Sequence, residues 1–305
     1  YFLTFLSNAS PNNGLRMTTF SFNDYSSIPA LTYCLSEQIY NFYNHYNEGR
    51  SFLIGTDESK NPEYVQAEGV CSTPFGIGLN SGVFQRIETL NHKFLSTNGP
   101  APKLSYTLVG LNDNRFYNID HRISVGIGST NASFNQLFDT SFNGYSIIRK
   151  THNLSRTDMG ADNSYLNIEA KFINNVPYQA HAVSEIKFQY PKLFNLDFKS
   201  TEHFSVESSN TNRHIEWENY PASKNKPIVY DLSSGKRIRA EKIAGNKVRF
   251  FLPSSTNMTD CYLADSMDVV VLSDKFIEPA MSDVVLDKEL LKFNPNNNKN
   301  RFKVT

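Results

Sequence analysis

The sequence predicts an all-β protein, in which an antiparallel, jelly-roll-like β-sandwich is followed by a smaller β-sandwich domain. The first observation is strict alternation of apolar and polar side chains in residues 165–172 and 183–190. Period-two alternation gives a strand one dry face and one wet face, as in antiparallel sheets packed on one side. The second is composition: 23 Phe and 16 Tyr favour strands, and clusters of Asn, Ser and Gly between them favour turns.

Further segments with the same character indicate strands before and after this central stretch. We expect strands at residues 1–6, 15–22, 83–90, 103–109, 122–127, 144–149, 204–206, 215–217, 228–232 and 248–252. Residues 31–47 are aromatic and fit a helix face as well as a strand, and their all-β surroundings favour one long strand. Residues 50–80 are predicted to be rich in loops, and Pro191 is expected to follow the end of a strand.

The segments divide into three predicted regions. Residues 1–195 form the jelly-roll-like sandwich, residues 196–273 the smaller β domain, and residues 274–305 a linker or exposed tail. The tail contains an Asn-rich stretch at 294–300 that cannot bury a core. The first residues carry neither an initiator Met nor the basic start of a signal peptide, so we expect a chain taken from a longer one.

Composition narrows the classes of function. Lys plus Arg number 30 and so do Asp plus Glu, which argues against a nucleic-acid surface because such surfaces concentrate positive charge. No apolar run approaches the roughly 20 residues that a membrane-spanning helix needs. The cysteines Cys34, Cys71 and Cys261 are widely spaced, without a zinc-binding pattern. We predict three buried thiols and leave one disulfide as the alternative.

Several residues have side chains suited to catalysis or metal binding. Cys71 lies in a loop-like segment, but a cysteine nucleophile needs a base beside it, and the sequence identifies none. Two polar loops carry oxygen atoms that could bind calcium, but neither has the calcium-loop pattern, so we predict that these residues form solvated turns. The loop candidates are Asp158, Asp162 and Asn163, and Asp113 and Asp120. We therefore predict no catalytic residue, no cofactor-binding residue and no metal ligand.

The remaining candidates also have a structural interpretation. Residues 76–82 contain three glycines but lack the lysine and the strand-to-helix context of a phosphate loop. The seven histidines show no metal-site spacing and are predicted to be surface or hydrogen-bonded structural residues: His45, His92, His121, His152, His181, His203 and His214. Trp217 is predicted to be core, although an exposed Trp could stack on a sugar ring.

A family resemblance carries the functional expectation. Residues 184–194, SEIKFQYPKLF, and 227–237, PIVYDLSSGKR, resemble strand and turn segments of PorU-like sortases of the type IX secretion system. These sortases are related to gingipain-type cysteine peptidases. Residues 248–253 and 261–264 follow in the same order, and residues 48–55 resemble a further segment, with Phe52 where Trp is usual.

The resemblance implies a non-catalytic β region that lies ahead of a peptidase domain at the cell surface. It implies docking to an anchoring outer-membrane β-barrel and to exported substrates. The charge balance and the short apolar runs separately predict no nucleic-acid partner and no membrane span in this chain. The family's catalytic Cys and Gly-His-Gly turn have no counterpart here, so no catalytic residue carries over, and any peptidase domain would lie outside this chain. The alternative is a cell-surface carbohydrate-binding or adhesive β-sandwich, and an autonomous hydrolase would need a constellation that the sequence does not show.

Overall fold

The computed structural model describes residues 17–21, 28–54, 57–60, 64–114 and 116–266, and regular structure in these ranges is β-strand except for one 3-10 turn at Arg156–Asp158. The strands are β1 (Thr18–Phe20), β2 (Cys34–Asn41), β3 (His45–Asn47), β4 (Ser51–Ile54), β5 (Asp57–Lys60), β6 (Gly69–Cys71), β7 (Phe75–Ile77), β8 (Gln85–Asn91), β9 (Lys103–Gly110), β10 (His121–Thr130), β11 (Ser133–Phe142), β12 (Ile147–Asn153), β13 (Asn163–Ala170), β14 (Gln179–Lys192), β15 (Glu202–Val206), β16 (Arg213–Trp217), β17 (Pro227–Asp231), β18 (Lys236–Arg239), β19 (Glu241–Ile243), β20 (Lys247–Leu252) and β21 (Thr259–Asp265). The predicted all-β fold is confirmed.

Among these residues one large sheet forms the base on which the smaller sheets lie. It has ten strands in the order β1-β18-β17-β21-β15-β2-β14-β9-β12, with β7 paired to β14 off this path. A four-stranded sheet has the order β11-β10-β13-β8, and a three-stranded sheet has the order β16-β20-β19. Two short ribbons, β3-β6 and β4-β5, complete the pairing. The pairing of β1 with β18 is parallel, and the other ladders are antiparallel.

The first sandwich is closed by the four-stranded sheet. Its apolar side chains face those of β9 and β14 in the large sheet, because alternate residues of each strand point to the same side. Fully buried members of this core are Leu90, Leu104, Leu108, Ile123, Val125, Ile127, Leu166, Ile168, Ile186 and Phe188. The apolar residues that alternate in 165–172 and 183–190 are thus the side chains through which β13 packs against β14.

The second sandwich places the three-stranded sheet over β18, β17, β21 and β15. Trp217 lies at its centre with none of its surface exposed, and Phe194 and Phe204 meet its ring edge to face at 5.0 and 5.2 Å between centroids. Other buried members are Ile215, Val229, Ile238, Val248, Phe250, Leu252, Cys261 and Leu263. The predicted core position of Trp217 is confirmed, so this ring cannot stack on a sugar.

The two sandwiches share the large sheet, which continues across the predicted boundary near residue 195. The junction is the pairing of β2 with β15, where Leu35 lies opposite Ser205. Each sandwich nevertheless has its own buried cluster, and Cys34 of β2 belongs to the second one. The boundary between residues 1–195 and 196–273 therefore stays a prediction, and the two regions meet through backbone hydrogen bonds.

Several local expectations were wrong. Residues 31–47 form two strands, β2 and β3, and the region expected to be rich in loops contributes β4 to β7. β11 had no prediction because its side chains do not alternate cleanly in burial. Pro191 lies within β14, where Ser96 donates its N–H to the Pro191 carbonyl at 2.8 Å. The strand expected at residues 1–6 and the tail at 274–305 lie outside the described residues.

Candidate functional site

A polar cleft of about 820 Å³ lies where the two sandwiches join. Its walls come from β2, β8, β13, β14, β15 and β21, from the loops that follow β8 and β14, and from Asp162 just before β13. Clefts between packed units are common ligand sites. The sequence did not indicate this cleft, because its lining residues range from Ser36 to Tyr262 and have no motif in common.

The floor of the cleft holds a buried ion pair. Lys192, the last residue of β14, places its Nζ 2.6 Å from Oε1 of Glu202, the first residue of β15. The two side chains are 10% and 12% exposed. The Lys192 ammonium also lies 5.7 Å from the ring centroid of Trp217, so it touches the core of the second sandwich. The pair ties the central strand of one sandwich to a strand of the other.

A network of hydroxyl and amide groups continues along the floor. Tyr190 is 4% exposed, and burial raises the pKa of its phenol to about 12 although Ser36 and Gln38 hydrogen-bond to it. Tyr40 donates its hydroxyl to Oε1 of Gln38 at 2.6 Å, and Gln38 donates to the Asn91 carbonyl of β8. These bonds connect β2 and β14 to the edge of the four-stranded sheet, so hydrogen bonds hold the polar side chains of the floor in place.

The rim is formed by two loops that are held in unusual backbone conformations. Phe94, Asp197 and Phe198 have φ values of 65°, 51° and 62°, a region that non-glycine residues rarely occupy. The Lys93 ammonium contacts both carboxylate oxygens of Asp197 at 2.7 Å, and this bond holds the pKa of Asp197 below its usual range. Such conformations persist where the surroundings enforce them, and they concentrate at binding sites.

Cys71, for which the sequence predicted no catalytic role, lies away from the cleft on β6. Its side chain is buried, and burial raises the pKa of the thiol. His45 is opposite Cys71 in the β3–β6 ladder, but its side chain is exposed to solvent. A protonated, buried thiol is a poor nucleophile, because the thiolate is the reactive form.

The three cysteines are free and buried, as predicted. Cys34 and Cys261 flank β15 on opposite sides, since β2 and β21 both pair with it. Two strand spacings separate them by roughly 9 to 10 Å between backbones. A disulfide requires Cα atoms within about 7 Å, so the ladder keeps these thiols apart. Burial raises the pKa of both.

Two of the histidines meet in the core of the first sandwich. His121 and His181, 60 positions apart, are buried with 3.0 Å between Nδ1 and Nε2. His121 Nε2 donates to the Asn112 carbonyl at 2.8 Å, so its Nδ1 accepts the proton of His181 Nε2. Burial lowers the pKa of both rings. The pair is therefore neutral and structural, which the sequence spacing could not reveal.

The other histidines are placed as individual residues. His92 bonds to Ser164, His152 to Tyr106, His203 to Asp260 and His214 to the Ile28 carbonyl. His45 is exposed at the start of β3. Among the described residues no group of three or more His, Cys, Asp or Glu side chains is arranged to hold a metal ion.

Most of the carboxylates in the two polar loops accept hydrogen bonds or ion pairs from protein groups. Asp113 pairs with Arg50 at 3.3 Å, and Asp158 accepts from the Asn135 amide at 2.8 Å. Asp120 accepts the backbone N–H groups of Asn114 and Gly144. Asp162 and Asn163 instead line the cleft.

One glycine of residues 76–82, Gly76, is required by strand packing. Gly76 lies in β7, where a Cβ atom would be 1.8 Å from the Gln179 carbonyl oxygen of β14. A side chain at this position would force the two strands apart. No helix in the described ranges is long and apolar enough to cross a bilayer.

Comparisons with known proteins identify the fold. No family model matches the sequence, and no curated protein matches it. Among solved structures, the dimeric latent PorU from Porphyromonas gingivalis matches with a TM-score of 0.53 over 84% of this chain at 10% identity. This chain spans 22% of the length of that PorU chain. The chain therefore has a PorU-like all-β fold.

A second solved structure is far less similar. The CBM36-1 domain of a multidomain xylanase from the hindgut metagenome of Trinervitermes trinervoides matches with a TM-score of 0.28 and 14% identity. The match covers 50% of this chain and 96% of that one. A likeness at this level says nothing about the ligand of this chain.

The buried ion pair at the floor generates the first prediction. Lys192→Met leaves the partly buried Glu202 carboxylate without its cation, so we expect the free energy of unfolding to fall by about 1–3 kcal/mol, the cost of losing a charged hydrogen bond. Adding Glu202→Leu removes the stranded charge and should restore most of the loss. Urea unfolding of both variants measures the effect, with Lys187→Met, an exposed lysine on the same strand, as control. A loss below about 1 kcal/mol in the single variant would contradict the assigned role.

The buried histidine pair generates the second prediction. Because the pKa values of His121 and His181 are lowered in the folded state, the unfolded chain binds more protons once the pH drops below about 6.5. Stability should therefore fall between about pH 7 and 5, by up to about 1.4 kcal/mol per pH unit for each histidine. Chemical unfolding across this range tests it, and His181→Gln should reduce the slope. If stability depended on pH as steeply in His181→Gln as in the unmodified protein, the prediction would be wrong.

Proposed function

We propose that this chain is a non-catalytic β-sandwich region of a PorU-like cell-surface protein of the type IX secretion system. Its role is to position a peptidase domain, which lies outside this chain, or to dock partner proteins. The segments at residues 184–194 and 227–237 and the PorU-like fold support this assignment. The partners implied by the family are an anchoring outer-membrane β-barrel and exported substrates.

The observation that carries the proposal is the large sheet that runs through both sandwiches. β14 extends over 14 residues, and its neighbours on both sides contribute to one continuous ladder. The sheet crosses the junction at Leu35 and Ser205, and the Lys192–Glu202 ion pair and the packing on Trp217 reinforce this connection. Rotation of one sandwich against the other would disturb all three contacts. A pair of sandwiches that cannot rotate against each other would hold an attached domain at a fixed distance and orientation.

The exposed face of the large sheet is suited to docking of a polar partner. In the first sandwich this face carries Glu185, Lys187 and Gln189 of β14, with Lys103 and Thr107 of β9 beside them. These side chains alternate with the buried ones and present both signs of charge. Charged side chains of both signs are found at the polar rim of protein interfaces, where they set the orientation of the partner.

The environment of the cysteines supports a non-catalytic role. The Cys71 thiol is buried with a raised pKa, and Cys34 and Cys261 are enclosed in the second core. None of the three lines the large cleft. A peptidase of the gingipain type needs a reactive thiolate beside an imidazole in an accessible groove.

Thiol reactivity and peptide hydrolysis test the non-catalytic assignment together. In the native protein we expect none of the three thiols to react with iodoacetamide during the time in which a free thiol is labelled completely, and all three to react in concentrated urea. Mass spectrometry counts the modified thiols. Peptide substrates should not be turned over. Turnover that disappears in Cys71→Ala would show that the chain is itself a peptidase.

Localisation in the native host tests the surface assignment. An epitope-tagged protein should fractionate with the outer membrane and lose its tag when intact cells are treated with an external protease. A periplasmic protein tagged in the same way serves as control for leakage. Recovery of the tagged chain from the cytoplasm, protected from protease, would exclude a role at the cell surface.

A further inference from the structure

Strand β12 forms one edge of the ten-stranded sheet, because β9 is its only neighbour among the described strands of that sheet. At one end of the β9–β12 ladder the Gly110 N–H bonds to the Ser146 carbonyl at 3.0 Å, and at the other end the Leu154 N–H bonds to the Pro102 carbonyl at 2.7 Å. The register between these bonds has no bulge, so the even-numbered residues of β12 bond to β9. The odd-numbered residues direct their N–H and C=O groups to the open side.

The open side of β12 presents a row of backbone N–H and C=O groups. They belong to Ile147, Arg149, Thr151 and Asn153, and none of them makes a hydrogen bond to a residue that the structure describes. β12 is seven residues long, so the edge extends over about 23 Å. An unpaired edge of this length is a template for one more strand, and proteins usually protect such edges with side chains or bulges.

The other edges of the first sandwich are protected in this way. At the edge of β8, the Asn91 carbonyl accepts the Gln38 amide, and the Tyr40 hydroxyl lies 3.3 Å from the Thr89 carbonyl. β11, at the edge of the facing sheet, has two register shifts against β10, and such irregularities hinder further pairing. Within the described ranges no side chain bonds to the open edge of β12, and its register with β9 is regular. The chain therefore leaves one edge of this sandwich ready to pair.

The side chains of β12 determine which kind of strand fits this edge. Arg149 and Lys150 are adjacent and exposed, so they present one cation on each face of the sheet. The Lys150 ammonium lies 4.7 Å from the ring centroid of Phe138 in β11, and neither cation pairs with a carboxylate in the part of the chain that is described. β12 itself carries no acidic residue. Because opposite charges across a ladder are favourable, an incoming strand with acidic side chains complements this edge.

The same cations disfavour a second copy of the chain as the occupant. A symmetric antiparallel pair of β12 strands centred on Arg149 or on Lys150 would place two like cations directly opposite each other. Like charges in this position destabilise a ladder, and lysine on an edge strand is a common protection against self-association. A segment of another protein that carries acidic residues would meet attraction where a second copy meets repulsion.

We propose that the open edge of β12 accepts an extended segment of a partner protein as an added antiparallel strand, with two adjacent acidic residues of that segment opposite Arg149 and Lys150. Backbone hydrogen bonds supply affinity in this mode of recognition, and the charge pairs supply register and selectivity. The half-buried Ile147 and Ile148 extend the same edge with apolar side chains. This inference rests on the docking role proposed above and names the strand and the partner chemistry for it.

Titration calorimetry on the whole chain tests the charge requirement. The probes are capped ten-residue peptides of Thr and Val that differ only at two adjacent central positions, which are both Asp, both Asn or both Lys. We expect saturable binding of the Asp peptide, at least about tenfold weaker binding of the Asn peptide, and no binding of the Lys peptide. The double substitution Arg149→Glu with Lys150→Glu should reverse this preference in favour of the Lys peptide.

A proline variant tests the backbone contribution. The Thr151 N–H points away from β9, so Thr151→Pro removes an edge donor without removing a bond of the ladder. We expect Thr151→Pro to abolish binding of the Asp peptide. Thr151→Val is the matched control, because it loses the same hydroxyl bond to Ser105 but keeps the N–H, and its affinity should be unchanged. Circular dichroism and the urea midpoint confirm that each variant is folded.

Hydrogen exchange resolved at single amides tests the edge in the unmodified chain. The amides of Arg149 and Thr151 should exchange fast in the free protein and slowly with the Asp peptide bound. Slow exchange in the free protein would mean that the edge is already covered, which would overturn the proposal. Failure of the Asp peptide to bind and equal affinity for all three peptides would also overturn it. So would a dimer that Thr151→Pro dissociates in sedimentation, because the occupant would then be a second copy. None of these results bears on localisation or thiol reactivity, so this inference and the proposed function can fail separately.

Discussion

The ion pair between Lys192 and Glu202 is the interaction on which the junction depends. It joins the end of β14 to the beginning of β15, at the point where the large sheet passes from one sandwich to the other. Burying two charges costs solvation energy that their attraction roughly offsets, so such a pair contributes little net stability. An alternative placement of the two sandwiches would separate the two charges and leave each without its partner.

The contact of Lys192 with Trp217 extends this constraint into the second core. The Trp217 ring is enclosed by Phe194, from the loop after β14, and by Phe204 of β15. Chain segments on both sides of the junction thus pack on one side chain. The shared sheet and the shared aromatic cluster both hold the two sandwiches together. Side-chain packing therefore supplements the single residue pair that joins β2 to β15 through the backbone.

The same region closes an edge of the four-stranded sheet. The odd-numbered carbonyls of β8 face away from β13. The Asn91 carbonyl accepts a hydrogen bond from the Gln38 amide, and the Thr89 carbonyl lies 3.3 Å from the Tyr40 hydroxyl, which donates its proton to Gln38. Side chains of β2 therefore cap an edge that would otherwise present free backbone groups to another chain. One consequence is the cleft, since the capped edge and the rim loops form walls that a continuous sheet could not provide.

The sequence by itself determined the class of fold and the buried faces of the main strands. Alternation along residues 165–172 and 183–190 is a local property of the chain, and a strand with one apolar face has few other ways to bury it. It also indicated that Trp217 and the three thiols are buried. It failed where the pattern is weak, as in β11, and where the pattern fits two structures, as in residues 31–47.

Tertiary structure alone decided the order of the strands, the meeting of His121 with His181, and the cleft. These features join residues that are far apart in sequence: the cleft combines Glu37, Asn163 and Tyr262, each of which is an ordinary surface residue in its own segment. Strand order depends on which sheets can pack and pair together, and periodicity along one strand contains no information about its neighbour. The sequence could therefore predict faces and turns, whereas the site emerges from the way two sandwiches share one sheet.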